Sequence, residues 1–147
     1  RIIALDQVTD SRNVGAIIRS SKAFGCDAII MTKHNAPNEN GSLAKAAAGA
    51  LEDVPIIKVT NLNRAIENLK SNSVRCIGLD ASGEDKLDSF RNEHRLALIM
   101  GSESTGMRRL TKQACDNIVT IPTRNQTESL NVSVASAIAL YATQLQD

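Results

Sequence analysis

Aromatic residues are almost missing from this 147-residue chain: Phe24, Phe90 and Tyr141 are the only ones, and there is no tryptophan. RNA-binding sheets of the RRM or OB type stack bases on rings, so that kind of platform has no material here. Cysteine is scarce too. Cys26, Cys76 and Cys115 form no CxxC, and neither His34 nor His94 pairs with one at ligand spacing. That excludes a structural zinc module, and no other metal is suggested. An odd count without short spacings indicates reduced thiols. A cytoplasmic location is expected, and a mitochondrial matrix would suit the same thiols. No apolar run approaches the roughly 20 residues of a membrane helix. No GxGxxG follows the first apolar segment, which removes a nicotinamide-type oxidoreductase. The run GSESTGMR has the glycine spacing of a phosphate loop, but Met107-Arg108 replace its Lys-Ser/Thr, which removes an NTPase.

Net charge is also small, at +1, yet it is unevenly spread. Residues 39–93 carry nine acids and seven bases, whereas the remainder carries seven acids and ten bases. Arg12, Arg19, Lys22, Arg108, Arg109, Lys112 and Arg124 all lie in the basic remainder. Lysine and arginine release counterions from a nucleic-acid backbone, so phosphate contact is one reading; a solvated surface is the other.

What is present is an alternation of strand and helix patterns. RIIALD, DAIIMT, VPIIKV, VRCIGLD, RLALIM and NIVTIP read as six strands. Between them, NVGAIIRSSKAFG places Val14, Ile17, Ile18, Ser21 and Phe24 on one helical face and stops at Gly25. SLAKAAAGALE reads as an alanine-rich helix, and NLNRAIENLK as a helix capped by Asn61. TGMRRLTKQACD holds a short helix, and a last helix begins near Leu130. ASGEDKLDS reads only as a polar connection. The expected fold is α/β, an open and mostly parallel sheet with helices on both faces, forming one domain over residues 1–147. The chain starts at Arg1 rather than Met, which is read as a segment of a longer protein with any targeting signal outside it. The last helix is apolar or small on nearly every side, so it is expected to pack against its own sheet and something more. Either Ala135 or Ala139 could face that second surface.

Three stretches carry a resemblance. They are LDQVTDSRNVGAIIRSSKAFG (5–25), LALIMGSESTGMRRLTKQACD (96–116) and IPTRNQTESLNVSVASAIALYA (121–142). In that order and spacing they resemble the three motifs of the SpoU-type (TrmH-like) RNA ribose 2′-O-methyltransferases. One departure is Asn125, where the family usually carries glycine; asparagine is the next-best residue for a left-handed turn.

The resemblance implies a C-terminal trefoil knot, S-adenosylmethionine as cofactor and a homodimer through the knot region and last helix. RNA is the implied substrate, ribosomal more than transfer RNA, and the ribosomal branch often carries a small RNA-binding domain ahead of this one. It also implies site residues. Gly101, Ile121 and Leu130 would line the cofactor pocket. Arg19 would activate the ribose 2′-hydroxyl; because an arginine is not readily deprotonated, it is expected to do so by holding the adjacent phosphate and stabilising charge on the ribose oxygen. Asn13 would orient Arg19, Glu103 would pair with an arginine, and Ser129 and Asn131 would position the nucleotide. From the residues alone, Asn13, Ser129 and Asn131 could equally be helix caps. A non-catalytic module of this fold would be expected to lose Arg19 or Asn13, and both are present.

Overall fold

The strand Ile2–Asp6 (β1) is apolar at every position but its last. A strand of that kind needs cover on both faces. The computed structural model describes residues 1–38, 41–124 and 129–144. In it β1 sits inside a seven-stranded sheet with β2 (Ala28–Thr32), β3 (Ile56–Val59), β4 (Arg75–Leu79), β5 (Asp85–Lys86), β6 (Leu96–Gly101) and β7 (Asn117–Thr120). The order is β3-β2-β1-β6-β4-β7-β5, and each neighbouring pair runs parallel.

Successive side chains on a strand point to opposite faces. Ile3 and Leu5 of β1, with Leu96, Leu98 and Met100 of β6, join the core under α1 (Ser11–Ala23), α2 (Gly41–Ala47) and α5 (Val132–Thr143). Ala4, Ala97 and Ile99 turn to the other face, where α3 (Leu62–Ser71) and α4 (Arg109–Ala114) pack. The expected α/β sheet with helices on both faces is what the chain forms.

Four local expectations change. Asp10, not Asn13, caps α1: its Oδ1 accepts the N–H groups of Arg12 at 2.8 Å and Asn13 at 3.3 Å. Those backbone bonds hold the Asp10 carboxyl below its ordinary value, and a carboxylate at a helix start also meets the positive end of the dipole. The alanine-rich helix is shorter than expected. It ends at Ala47, because Ala48 and Gly49 take φ of 50° and 82° and turn the chain into a 3₁₀ turn, Ala50–Glu52. The turn lays Ala50 and Val54 into the core.

Third, the polar connection contains β5, a two-residue edge strand paired with β7 through Asp85↔Val119 and Lys86↔Thr120. Both of its side chains are exposed, so it has no alternation to read. Fourth, Ala139 of α5 lies wholly in the core and Ala135 is partly buried against it. The free side is instead a stripe of Val134, Ile138 and Tyr141, 47%, 37% and 63% exposed, continued by Leu130 at 37%. Tyr141 meets Phe24 edge-on, with ring centres 5.9 Å apart. Asn125 lies outside the described residues. Among the described residues, no helix is long and apolar enough to cross a membrane.

Candidate functional site

In open parallel sheets ligands collect beyond the carboxyl ends of the strands, near the point where the strand order reverses. Here β1 leads into α1 on one face and the adjacent β6 leads into α4 on the other. A cavity of about 690 Å³ opens beyond the carboxyl ends of β4, β6 and β7. Its walls are Leu79, Asp80, Ala81, Gly83 and Glu84, then Met100, Gly101, Ser102, Glu103, Thr105 and Gly106, then Thr120 to Thr123, with Ser129, Leu130 and Val132 at the entry to α5. That volume suits a small-molecule site of about 300–1,000 Å³.

Gly101, Ile121 and Leu130 all line this cavity, as do Glu103 and Ser129. Gly101 is required by its own loop. A Cβ there would lie 2.2 Å from the Met107 nitrogen and 2.3 Å from the Gly106 carbonyl carbon. The loop closes tightly behind it, with the Gly106 N–H donating to the Ser102 carbonyl at 2.8 Å and the Ser102 and Thr105 hydroxyls 2.7 Å apart. Gly83 presses the opposite wall onto β7, where a Cβ would come 2.4 Å from the Val119 carbonyl carbon.

The three motif stretches meet at one amide. Asn131 caps α5 through Oδ1, which accepts from the N–H of Ser133 at 2.9 Å and of Val134 at 3.3 Å. Its Nδ2 donates to Asn13 Oδ1 at 3.1 Å and to Glu103 Oε1. That same Oε1 accepts the Val132 N–H at 3.0 Å. Glu103 therefore anchors the start of α5 and pairs with an asparagine, not with an arginine. The Asn13 side-chain oxygen accepts from Asn131, and among the described residues no hydrogen bond joins Asn13 to Arg19. Arg19 lies six residues further along α1, about 9 Å by helical rise. It is exposed, outside the cavity lining, with no ion-pair partner among the described residues.

Two further carboxylates, Asp80 in the cavity wall and Asp6 at the end of β1, escaped the sequence reading. Asp6 is fully buried and binds Arg108 through the backbone N–H at 2.8 Å, Nε at 2.7 Å and Nη2 at 2.7 Å. Asp80 meets Lys112 at 2.7 Å and accepts the Ser82 N–H at 3.0 Å. Burial would raise the Asp80 carboxyl, but Lys112 and Ser82 together hold it below its ordinary value. A usable signal existed. Leu5-Asp6 and Leu79-Asp80 both end an apolar strand with an acid at its carboxyl end.

Cysteine chemistry is absent from the site. Burial above all pushes Cys76 up to about 11 and Cys115 up to about 12, and it raises Cys26 as well. A thiol that stays protonated at neutral pH is a poor nucleophile. Among the described residues, no group of histidine, cysteine and carboxylate side chains could hold a metal ion.

A parallel sheet covered on both faces, with a glycine-walled cavity at its carboxyl edge, defines an α/β protein with room for a small-molecule ligand. Residues 1–141 match the model of the SpoU rRNA Methylase family, and the chain belongs to that family. It is 41% identical over 140 residues to the 23S rRNA (guanosine-2'-O-)-methyltransferase RlmB of Escherichia coli K12, covering 95% of this chain and 58% of that protein. It is 42% identical over 145 residues to the enzyme of that name from Blochmanniella floridana, covering 99% and 57%. The chain thus spans somewhat over half the length of these relatives. Its fold is that of the SpoU methyltransferase AviRb from Streptomyces viridochromogenes, solved with AdoMet. The TM-score there is 0.89 at 24% identity, over 97% of this chain and 56% of the other.

Proposed function

We propose that this chain is the catalytic domain of a methyltransferase that uses S-adenosylmethionine to methylate a ribose 2′-hydroxyl of ribosomal RNA in the cytoplasm. The observation that carries this is the junction at Asn131. It ties all three family motifs together at the mouth of the cavity lined by Gly101, Ile121 and Leu130. The cavity fits such a cofactor. Backbone of the Gly101–Gly106 and Thr120–Thr123 loops can take the adenine edge, Ile121 and Leu130 give apolar cover, and Glu84 offers negative charge to a cationic methionyl group. When bound, the cofactor supplies the electrophilic methyl group.

The chain's own residues supply position and charge. Glu103 and Asn13 lock the Asn131 amide, and Asn131 fixes the start of α5 beside Ser129 and Leu130. Ser129 offers a hydroxyl to the target nucleotide. Arg19 cannot be deprotonated readily, since its pKa is above about 12. Its part is to hold the adjacent phosphate by a fork of N–H groups and to offset negative charge growing on the ribose oxygen. The family match and a structure of the same fold solved with AdoMet support the cofactor reading. Strand β6 inserts between β1 and β4, and β7 between β4 and β5; the C-terminal third is read as the trefoil knot that the family implies.

The test of the cofactor is calorimetry with S-adenosylmethionine in the presence of EDTA. One site per chain is expected, and an absence of heat and thermal shift at millimolar ligand would refute it.

Assembly as a homodimer through α5 is the second part of the proposal. A contiguous apolar stripe formed by Val134, Ile138 and Tyr141 is costly to leave in water. Ile138→Glu is expected to give a folded monomer where the parent sediments as a dimer at tens of micromolar. A parent that is monomeric under those conditions would rule this interface out. In such a dimer α1, which packs against α5, lies near the second copy. That offers a way for an arginine remote from its own cavity to reach a site.

A further inference from the structure

A buried carboxylate is costly unless it is paired and fully hydrogen-bonded. Asp6, at the carboxyl end of β1, is 0% exposed and spends both oxygens on one residue: Oδ2 on the backbone N–H of Arg108, and Oδ1 on its Nε and Nη2. Closing the loop between β6 and α4 requires only the backbone bond. The remaining two bonds fix the direction of the guanidinium. Arg108 is still 45% exposed, and its Nη1 has no acceptor among the described residues. A guanidinium carries five N–H donors in a rigid fork. With the Nε/Nη2 edge taken by Asp6, the Nη1/Nη2 end remains for a second acceptor.

The location gives that acceptor a chemistry. Arg108 stands over the crevice between β1 and β6, register partners through Asp6↔Gly101. Exposed cations share this edge of the sheet: Arg12 in the first turn of α1, Lys33 after β2, and Arg109 beside Arg108. The acids nearby are already engaged, Asp10 by the α1 cap, Glu103 by Asn131 and Asp80 by Lys112. A polyanion crossing this edge meets positive charge with one oriented fork in its midst.

We propose that Arg108, held by Asp6, is a positioning residue that grips a backbone phosphate of the RNA and seats the strand on the carboxyl edge of the sheet beside the cavity. This rests on the RNA methyltransferase reading. The experiment is filter binding of the full-length protein to transcribed 23S rRNA across a salt series, with methyl transfer and S-adenosylmethionine calorimetry in parallel. For Arg108→Gln, the slope of log affinity against log salt is expected to become shallower by roughly 0.7–0.9, the share of one phosphate contact. The KM for RNA should rise several-fold, and cofactor affinity should stay within twofold. If removing one partner of the buried pair prevents folding, Asp6→Asn with Arg108→Gln removes both charges and is expected to give the same slope change. An unchanged salt slope overturns the proposal, as does a loss confined to cofactor binding, which would make the pair a loop clasp only. A parent protein that binds cofactor but neither binds nor methylates this RNA would instead overturn the function on which the proposal rests.

Discussion

Replacing Arg19 with alanine is expected to slow single-turnover methyl transfer roughly 10²–10³-fold, the usual cost of losing one donor aimed at developing negative charge. Stability should barely change. Arg19 is exposed and off the buried stripe of Val14, Ile17, Ile18 and Ser21, so no packing is lost. Cofactor affinity should also hold, because Arg19 is not part of the cavity wall. Arg19→Lys should recover little, since an ammonium cannot reproduce the planar fork. The measurement is methylation by the full-length protein under single-turnover conditions, with cofactor binding and thermal melting alongside. Near-parental rates for Arg19→Ala would reduce Arg19 to a surface arginine. Loss of fold or of cofactor binding would make it structural and shift the chemistry toward Asn13, Ser129 and Asn131.

Gly101→Ala should strike the cofactor instead. The added methyl would meet backbone at 2.2 and 2.3 Å, and backbone cannot swing aside as the end of a long side chain can. Forced overpacking costs about 1–3 kcal/mol. Because the strain falls on the loop that walls the cavity, it should appear as roughly 5- to 150-fold weaker cofactor binding. Melting temperature should fall by a few degrees, as about 1 kcal/mol does for a domain of this size. Calorimetry on a variant still folded by circular dichroism separates the two effects. Parental affinity would mean that the loop shifts freely and that Gly101 does not shape the pocket.

The contrast between these residues tells why some of the protein could be read from its sequence and some could not. The sheet and its helices were legible because buried strands such as Leu96–Met100 are continuously apolar and α1 and α3 keep a helical apolar period. Gly101, Ile121 and Leu130 were placed together only by resemblance, since Ile121 and Leu130 look like core residues in isolation. Asn13 and Asn131 lie 118 residues apart, and no local pattern announces a bond between two amides at that separation. β5 was invisible for another reason: an exposed pair at a sheet edge buries nothing, so hydropathy carries no trace of it. The break at Ala48 was hidden as well, because alanine favours a helix and only the demands of the core beyond it impose the left-handed turn.

The strand order has a consequence for how the molecule is made. β1 and β2 are adjacent in the chain and can pair early, but the other edge of β1 must wait for β6, whose Ala97 is the partner of Ile2. Until then it is an open edge, the kind that invites wrong pairing. β4 likewise gains both neighbours, β6 and β7, only from residues that follow it. Pairings of such long sequence separation fold slowly. All the cavity walls come from residue 79 onward, so the pocket forms only after β1, β2 and β3 have been made. A ligand that binds only there stabilises only chains in which the pocket has formed, and cofactor supply would then bear on how much of the newly made protein survives.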